Sequence, residues 1–258
     1  MVRLTGLPPI GPLAALQFLT RLPIRLRSEP DLGAMVVWFP VAGAVIGALA
    51  GGAGAGMFEL STPLVAAGIA VAVGLLVTGA FHEDGLADVA DAFGGGYTVE
   101  RRLEILKDPR HGTYGVAALC ASIVVRVAAI GSLPSASVVF ASCVAAHVVA
   151  RTVAVTLMAA VPLATHRGLG ADYGRSTTPA RAAVAVVLGV ALGSVAIGWW
   201  IGPVLAVAVA SAAAVGALAV RKIGGISGDV LGACEQVAEC ACLVTLAALA
   251  AHHPLWWR

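Results

Sequence analysis

The chain has 258 residues, of which 59% are hydrophobic and only 12% charged, and its formal net charge is +2. Its mean hydropathy is +0.94. Soluble globular chains carry about a quarter charged residues, so this chain cannot cover a water-facing surface. Its near-neutral balance excludes a nucleic-acid partner bound through basic excess. The five cysteines, Cys120, Cys143, Cys234, Cys240 and Cys242, lie in apolar runs. None has the spacing of a zinc site, and they read as small helix-packing residues.

At the N-terminus, Arg3 is followed by Pro8, Pro9 and Pro12. No unbroken apolar core precedes Arg21, so no signal peptide is expected. Beyond it, apolar stretches at 36–57, 63–81, 115–133, 137–163, 182–201, 203–220 and 230–251 approach the length that crosses a bilayer, about 20 residues. They predict an all-α, polytopic transmembrane bundle of about seven spans, forming one domain over 1–258. The Gly202-Pro203 pair predicts the turn between the fifth and sixth spans. Gly43, Gly47 and Gly51 recur every fourth residue, as do Gly189 and Gly193, a spacing that lets helices approach closely in lipid.

Charge orients the bundle. Arg3, Arg21, Arg25 and Arg27 precede the first span, and Arg101, Arg102, Lys107 and Arg110 follow the second. Arg167, Arg175 and Arg181 follow the fourth, Arg221 and Lys222 follow the sixth, and only Arg258 falls on the other side. Cytoplasmic loops carry the Lys/Arg excess, so the N-terminus is expected in the cytoplasm. The polar clusters at 82–114, 165–181 and 221–229 then share that side. Chemistry at one face of the membrane fits an enzyme better than a transporter, which needs access from both faces.

The sharpest motif is His82-Glu83-Asp84-Gly85-Leu86-Ala87-Asp88-Val89-Ala90-Asp91. On a helix, Asp84, Asp88 and Asp91 share one face. Their mutual repulsion, added to a burial cost of ~3 kcal/mol for a carboxylate deep in a span, calls for a counter-charge. A divalent cation such as Mg²⁺, which joins carboxylates to substrate phosphates, supplies one. Gly85 leaves room for a phosphate to approach. A solvated helix start rich in Asp and Glu is the plainer reading. The motif also resembles part of the aspartate signature of the CDP-alcohol phosphotransferases, but Ala87 is followed here by Asp88 where that signature has Arg.

After the Gly94-Gly95-Gly96 break, Thr98 is placed to cap a short helix. Lys107, Arg110 and His111 then lead through Gly112 into the third span, where forked cationic donors suit a pyrophosphate. Arg101 and Arg102 read as positive-inside anchors. Within the spans, Arg126, His147 and Arg151 are functional candidates, or partners of buried carboxylates that hold the bundle. Gly228-Asp229-Val230-Leu231-Gly232 sets Asp229 at the inner end of the last span, with Glu235 and Glu239 one turn apart beyond it.

The ordered set resembles the cobalamin synthase (adenosylcobinamide-GDP ribazoletransferase) family almost end to end. The resemblance runs through Phe18-Leu19-Thr20-Arg21-Leu22-Pro23, Phe39-Pro40-Val41-Ala42-Gly43 and Thr78 to Asp91. It continues through Leu103 to Gly115, Gly168-Leu169-Gly170 and Gly228 to Ala233; Glu235-Gln236 departs from the family pattern. The resemblance implies a Mg²⁺-dependent enzyme of the cytoplasmic (inner) membrane. Such an enzyme joins adenosylcobinamide-GDP to α-ribazole or its 5′-phosphate and releases GMP, and a homo-oligomer or association with other corrinoid enzymes is expected of it. On that footing Asp84, Asp88 and Asp91, joined by Asp229, are expected to hold the metal. Lys107, Arg110, His111 and Arg151 are expected to meet phosphate or substrate. His82, Asp84 and Asp88 are expected to be catalytic, with His82 or an aspartate taking the proton of the attacking hydroxyl.

Overall fold

The computed structural model describes residues 10–26, 31–164 and 169–257. Arg3, Arg27, Arg167, Gly168 and Arg258, all used in the sequence reading, lie outside the described residues. Twelve α-helices fill the rest: α1 Ile10–Leu19, α2 Leu32–Val36, α3 Phe39–Leu60, α4 Pro63–Thr78, α5 Phe81–Gly95, α6 Val99–Ile105, α7 Thr113–Gly131, α8 Ala136–Ala160, α9 Leu169–Ser176, α10 Pro179–Ile197, α11 Ile201–Ile223 and α12 Gly228–Ala250. Among the described residues the only β contact is a bridge between Leu163 and Ile226. The all-α bundle is as expected, and each of the seven apolar stretches falls on a helix.

Local chemistry starts these helices where the sequence turns apolar. Thr62, Ser135, Thr178 and Ser227 each accept a hydrogen bond from the backbone N–H three residues on, and Pro63 and Pro179 occupy first-turn positions. There a missing N–H costs nothing. Thr98 caps α6 in the same way.

By length and composition, five helical stretches can cross a membrane: Phe39–Leu60, Thr113–Gly131, Ala136–Ala160, Pro179–Ile223 and Gly228–Ala250. The bent pair of α4 and α5 makes a sixth. The 45-residue stretch Pro179–Ile223 is not one straight rod. In a straight helix Gly189 and Gly216 would stand about 40 Å apart, yet both abut α8, at Thr152 and Leu157 respectively. The chain therefore folds back, and α10 and α11 run antiparallel. The reversal is at Gly198–Trp200, a 3-10 turn that opens on Gly198 with φ 58°. This corrects the expected turn at Gly202-Pro203: both residues lie in the first turn of α11, where proline has no helix bond to break.

Helix α8 is the axis, buried on nearly every side. Helix α3 lies against it through the glycine repeat. A Cβ on Gly43 would come 2.5 Å from the His147 carbonyl oxygen, and one on Gly47 would come 2.6 Å from the Val144 Cα. Close backbone approach replaces a hydrophobic driving force that lipid cannot supply.

The feature that builds the site is the 91° bend between α4 and α5. Gly79 (φ 68°) and Ala80 (φ 57°) are both left-handed, and their N–H groups share the Leu75 carbonyl. Ala80 is the single non-glycine with positive φ among the described residues. The bend ends α4 three residues before the expected limit of the second span and sends α5 out along α7 and α12.

Replacing Gly47 by Val should force α3 off α8 and cost about 1–3 kcal/mol. The measurement is the thermal midpoint of the detergent-purified protein. Gly52→Ala, where nothing lies within 4 Å of the added Cβ, should leave it unchanged.

Candidate functional site

Helix α5 carries two chemistries on opposite faces, because residues two apart on a helix point about 200° from each other. One face turns to the open end of the bundle. There His111, in the loop before α7, stands between two aspartates: its Nε2 is 3.6 Å from Asp84 and its Nδ1 is 3.5 Å from Asp88. Ligand atoms of the three residues lie within 4.8 Å of one another. Asp229 joins from the first turn of α12, its carboxylate accepting a hydrogen bond from the Ser227 hydroxyl at 3.3 Å. Burial first, then the charges of Asp84 and Asp229, push the Asp88 carboxyl up to about 6. The centre is thus crowded with negative charge.

Asp91 sits one turn further on, with both oxygens engaged. They accept from the backbone N–H groups of Gly112 (2.6 Å) and Gly115 (2.9 Å). A Cβ on Gly112 would lie 2.6 Å from one Asp91 oxygen, and one on Gly115 would lie 2.4 Å from the other. Asp91 therefore pins the His111 loop and the start of α7 to α5. Gly85 also has a structural use. A Cβ there would meet the Asp229 carbonyl oxygen at 2.7 Å, so its small size admits the backbone of α12. That corrects the expectation that Gly85 leaves room for a phosphate.

The cations of the 101–110 segment divide. Arg102 donates to the carbonyls of Gly96, Tyr97 and Lys222, clamping α6 to α5 and α11. Arg110 makes a forked pair with Asp108 at 2.9 and 2.8 Å and holds that exposed carboxyl down at about 2. Lys107 is exposed. Neither Lys107 nor Arg110 has an ion pair with Asp84, Asp88 or Asp229 among the described residues.

The other face of α5 enters the bundle. His82 and Glu83 are buried. The Arg126 guanidinium donates to Glu83 (2.9 Å) and Glu239 (3.2 Å). His147 Nδ1 lies 2.9 Å from Glu239, and Arg151 pairs with Glu235. His82 Nδ1 is 3.5 Å from both Glu235 and Arg151. Of the expected site residues, the fold thus brings together Asp84, Asp88, His111 and Asp229. It sets His82 and Arg151 in a separate buried network. Glu83 was not singled out by the sequence reading. Its signal was Arg126, a mid-span cation that needs a carboxylate. Gln236 donates to Glu235 and accepts from Ser122, a bundle contact.

A polytopic helical membrane protein with a carboxylate–imidazole centre at the mouth of its bundle is the class that fold and site define. The sequence profile of the cobalamin-5-phosphate synthase family matches residues 11–247. An adenosylcobinamide-GDP ribazoletransferase of Bradyrhizobium diazoefficiens is 41% identical over 246 residues, which cover 91% of this chain and 92% of the relative. Proteins of the same description from Chlorobaculum tepidum (38% identical, 90% and 92% covered) and Ralstonia nicotianae (37%, 91% and 93%) are also similar. No solved structure matches the chain. The chain belongs to the cobalamin-5-phosphate synthase family and is a membrane transferase of cobalamin biosynthesis.

Removing one partner of a buried ion pair costs about 3–5 kcal/mol. Arg126→Ala, which strands Glu83 and takes one partner from Glu239, should therefore lower the thermal midpoint in detergent sharply. Arg101→Ala, which breaks the exposed pair with Glu104, should shift it little.

Proposed function

We propose that the chain catalyses the Mg²⁺-dependent joining of adenosylcobinamide-GDP to α-ribazole or its 5′-phosphate, giving adenosylcobalamin or its 5′-phosphate and GMP. The observation that carries this reading is the convergence of Asp84, Asp88 and His111 at the open end of the bundle, with Asp229 near enough to raise Asp88. The donor set fits the cation. Its oxygens are hard, its negative charge is uncompensated, and it is open to a bulky substrate. Asp84, Asp88 and Asp229 would hold the ion, with Asp91 contributing the lone pairs left by its two amide bonds. When bound, Mg²⁺ would neutralise the pyrophosphate charge that makes phosphoryl transfer slow.

In the transfer, a ribose hydroxyl attacks the cobinamide-side phosphorus. The new O–P bond forms as the bond to the GMP phosphate breaks, and GMP leaves with the electron pair. His82 is on the far face of α5, so the hydroxyl proton falls to His111, an exposed imidazole between two aspartates. Lys107 and Arg110 stand on the exposed loop, where they can meet the departing phosphate once Arg110 exchanges Asp108 for it. The proposal also holds that α3, α4, α7, α8, α10, α11 and α12 make seven crossings of the cytoplasmic membrane. The N-terminus and the carboxylate centre then face the cytoplasm, as the Lys/Arg distribution favours.

The test is GMP release by the detergent-purified chain given both substrates and Mg²⁺. GMP and a cobalamin product should appear together and vanish with EDTA, and Asp88→Ala should lower turnover at least about 100-fold. GMP release that is unaffected by EDTA would sink the metal assignment.

Asp88 also fixes a pH dependence. Protons compete with the cation below the raised carboxyl value of about 6. Binding should therefore hold above that pH and weaken by up to about tenfold per unit below it. Mn²⁺ titration followed by electron paramagnetic resonance reads this directly, and Asp88→Asn should flatten the profile.

A further inference from the structure

Between α1, α3, α5, α8 and α12 lies a cavity that the transfer chemistry above does not use. One wall is aromatic: the Phe18 ring is stacked 5.9 Å from Phe39 and edge-on 5.3 Å from Phe81. Met158 and Leu231 add apolar surface. The polar part of the lining is His82, Arg151 and Glu235, which are 6%, 1% and 0% exposed. A lipid chain would have no use for such groups, whose burial is costly unless they are paired.

The hydrogen-bonding balance of that lining is lopsided. Glu235 spends one oxygen on Arg151 and the other on Gln236, with His82 3.5 Å away. The terminal nitrogens of Arg151 face Glu235, His147 and His82, but its Nε–H is buried and has no partner. The lining therefore holds a donor without a partner, and its carboxylate is already engaged. The ligand it suits is flat and apolar, with an acceptor on its ring.

Resting on the function proposed above, we infer that this cavity is the seat of the α-ribazole base. A benzimidazole joined to ribose through one nitrogen keeps a single ring acceptor, carries no ring N–H and presents two methyl groups. Two of these match the cavity: the ring acceptor suits the Arg151 Nε–H, and the methyl groups suit the apolar wall. The position is also right. Gly228 and Gly232 of α12 line the cavity, and Gly232 with the Asp229 backbone packs on Gly85 of α5. One turn of α12 thus separates the cavity from the Asp229 carboxylate, a span that the ribose bridges. Arg151, expected from sequence to meet substrate, would meet the base rather than a phosphate.

The experiment measures binding of radiolabelled α-ribazole to the full-length protein in detergent without metal, beside its GMP-release assay. Leu231→Trp and Ala154→Phe, which fill the cavity, should weaken binding at least tenfold while Mn²⁺ binding at the carboxylates stays unchanged. GMP should not compete, whereas free 5,6-dimethylbenzimidazole should. An azido-benzimidazole riboside should crosslink wild-type peptides containing Phe39, Met158 or Leu231, which tests the site even if the filled variants misfold. If wild-type protein turns over but the filled variants bind α-ribazole normally, if GMP displaces it, or if crosslinks map only to the 106–112 loop, the assignment is wrong and the proposed function stands. If wild-type protein neither releases GMP nor binds α-ribazole, both fall together.

Discussion

The pairing of two buried arginines with three buried glutamates is the interaction on which the rest of the molecule depends. Arg126 and Arg151 are 3% and 1% exposed, inside a bundle whose outer surface is apolar. An unpaired guanidinium at such depth costs several kcal/mol. The sequence therefore had to place carboxylates opposite each, and Glu83, Glu235 and Glu239 do so from two other helices. His82 and His147 lie within reach of the same carboxylates, at 3.5 Å from Glu235 and 2.9 Å from Glu239. The partners come from α5, α7, α8 and α12, so the network fixes four helices in rotation and depth as well as in distance. Nondirectional apolar packing does not do this.

Glu83 is the link from that network to the chemistry. It is held by Arg126 at 2.9 Å, and it is the residue immediately before Asp84. With Glu83 locked into the core, the period of the helix leaves Asp84 and Asp88 no direction but outward. Gly85 then lets α12 close on α5, which brings in Asp229, and Asp91 ties down the loop that bears His111. The acidic centre is thus built on rigid elements and positioned from behind. Its negative charge can be kept together because the core, rather than the carboxylates themselves, determines where α5 lies.

The repeating features of the chain were legible in the sequence. The apolar runs marked all seven long helices, Gly43 and Gly47 marked a close helix approach that the structure makes against α8, and the Asp84, Asp88, Asp91 spacing marked one helical face. The features set by tertiary geometry were hidden. The left-handed conformation of Ala80 has no sequence signature, since alanine rarely adopts it, so the 91° bend was read as a continuation of the second span. Gly202-Pro203 was taken for a turn because that pair usually breaks a helix, yet proline is harmless in a first turn and Gly198 did the breaking. His82 was grouped with the aspartates by proximity in sequence. Only its rotation about the α5 axis separates them, and that rotation follows from the Arg126–Glu83 pair. Arg110 was read as a donor to phosphate, but its forked donors meet Asp108 two residues away, a contact decided by loop conformation.

On the proposed function, the same two-faced helix would let one short element serve both a hydrophobic and a highly charged reactant. A pyrophosphate needs water-accessible, cation-ready oxygen ligands, whereas an apolar base needs a dry pocket; placed side by side in one cleft, each would weaken the other. Water admitted for the phosphate would screen and solvate the base site, and apolar walls around the carboxylates would raise the cost of ionising them. Helix α5 separates the two environments by rotation rather than by distance: Asp84 and Asp88 face the open end while His82 faces the cavity, all within seven residues. The first turn of α12 forms the partition, with Asp229 at the carboxylate centre and Gly228, Leu231 and Glu235 lining the cavity. A reaction that joins a polar phosphate to the sugar of an apolar base then needs only the ribose to cross that partition. The glycines at 85, 228 and 232 are where it is thinnest.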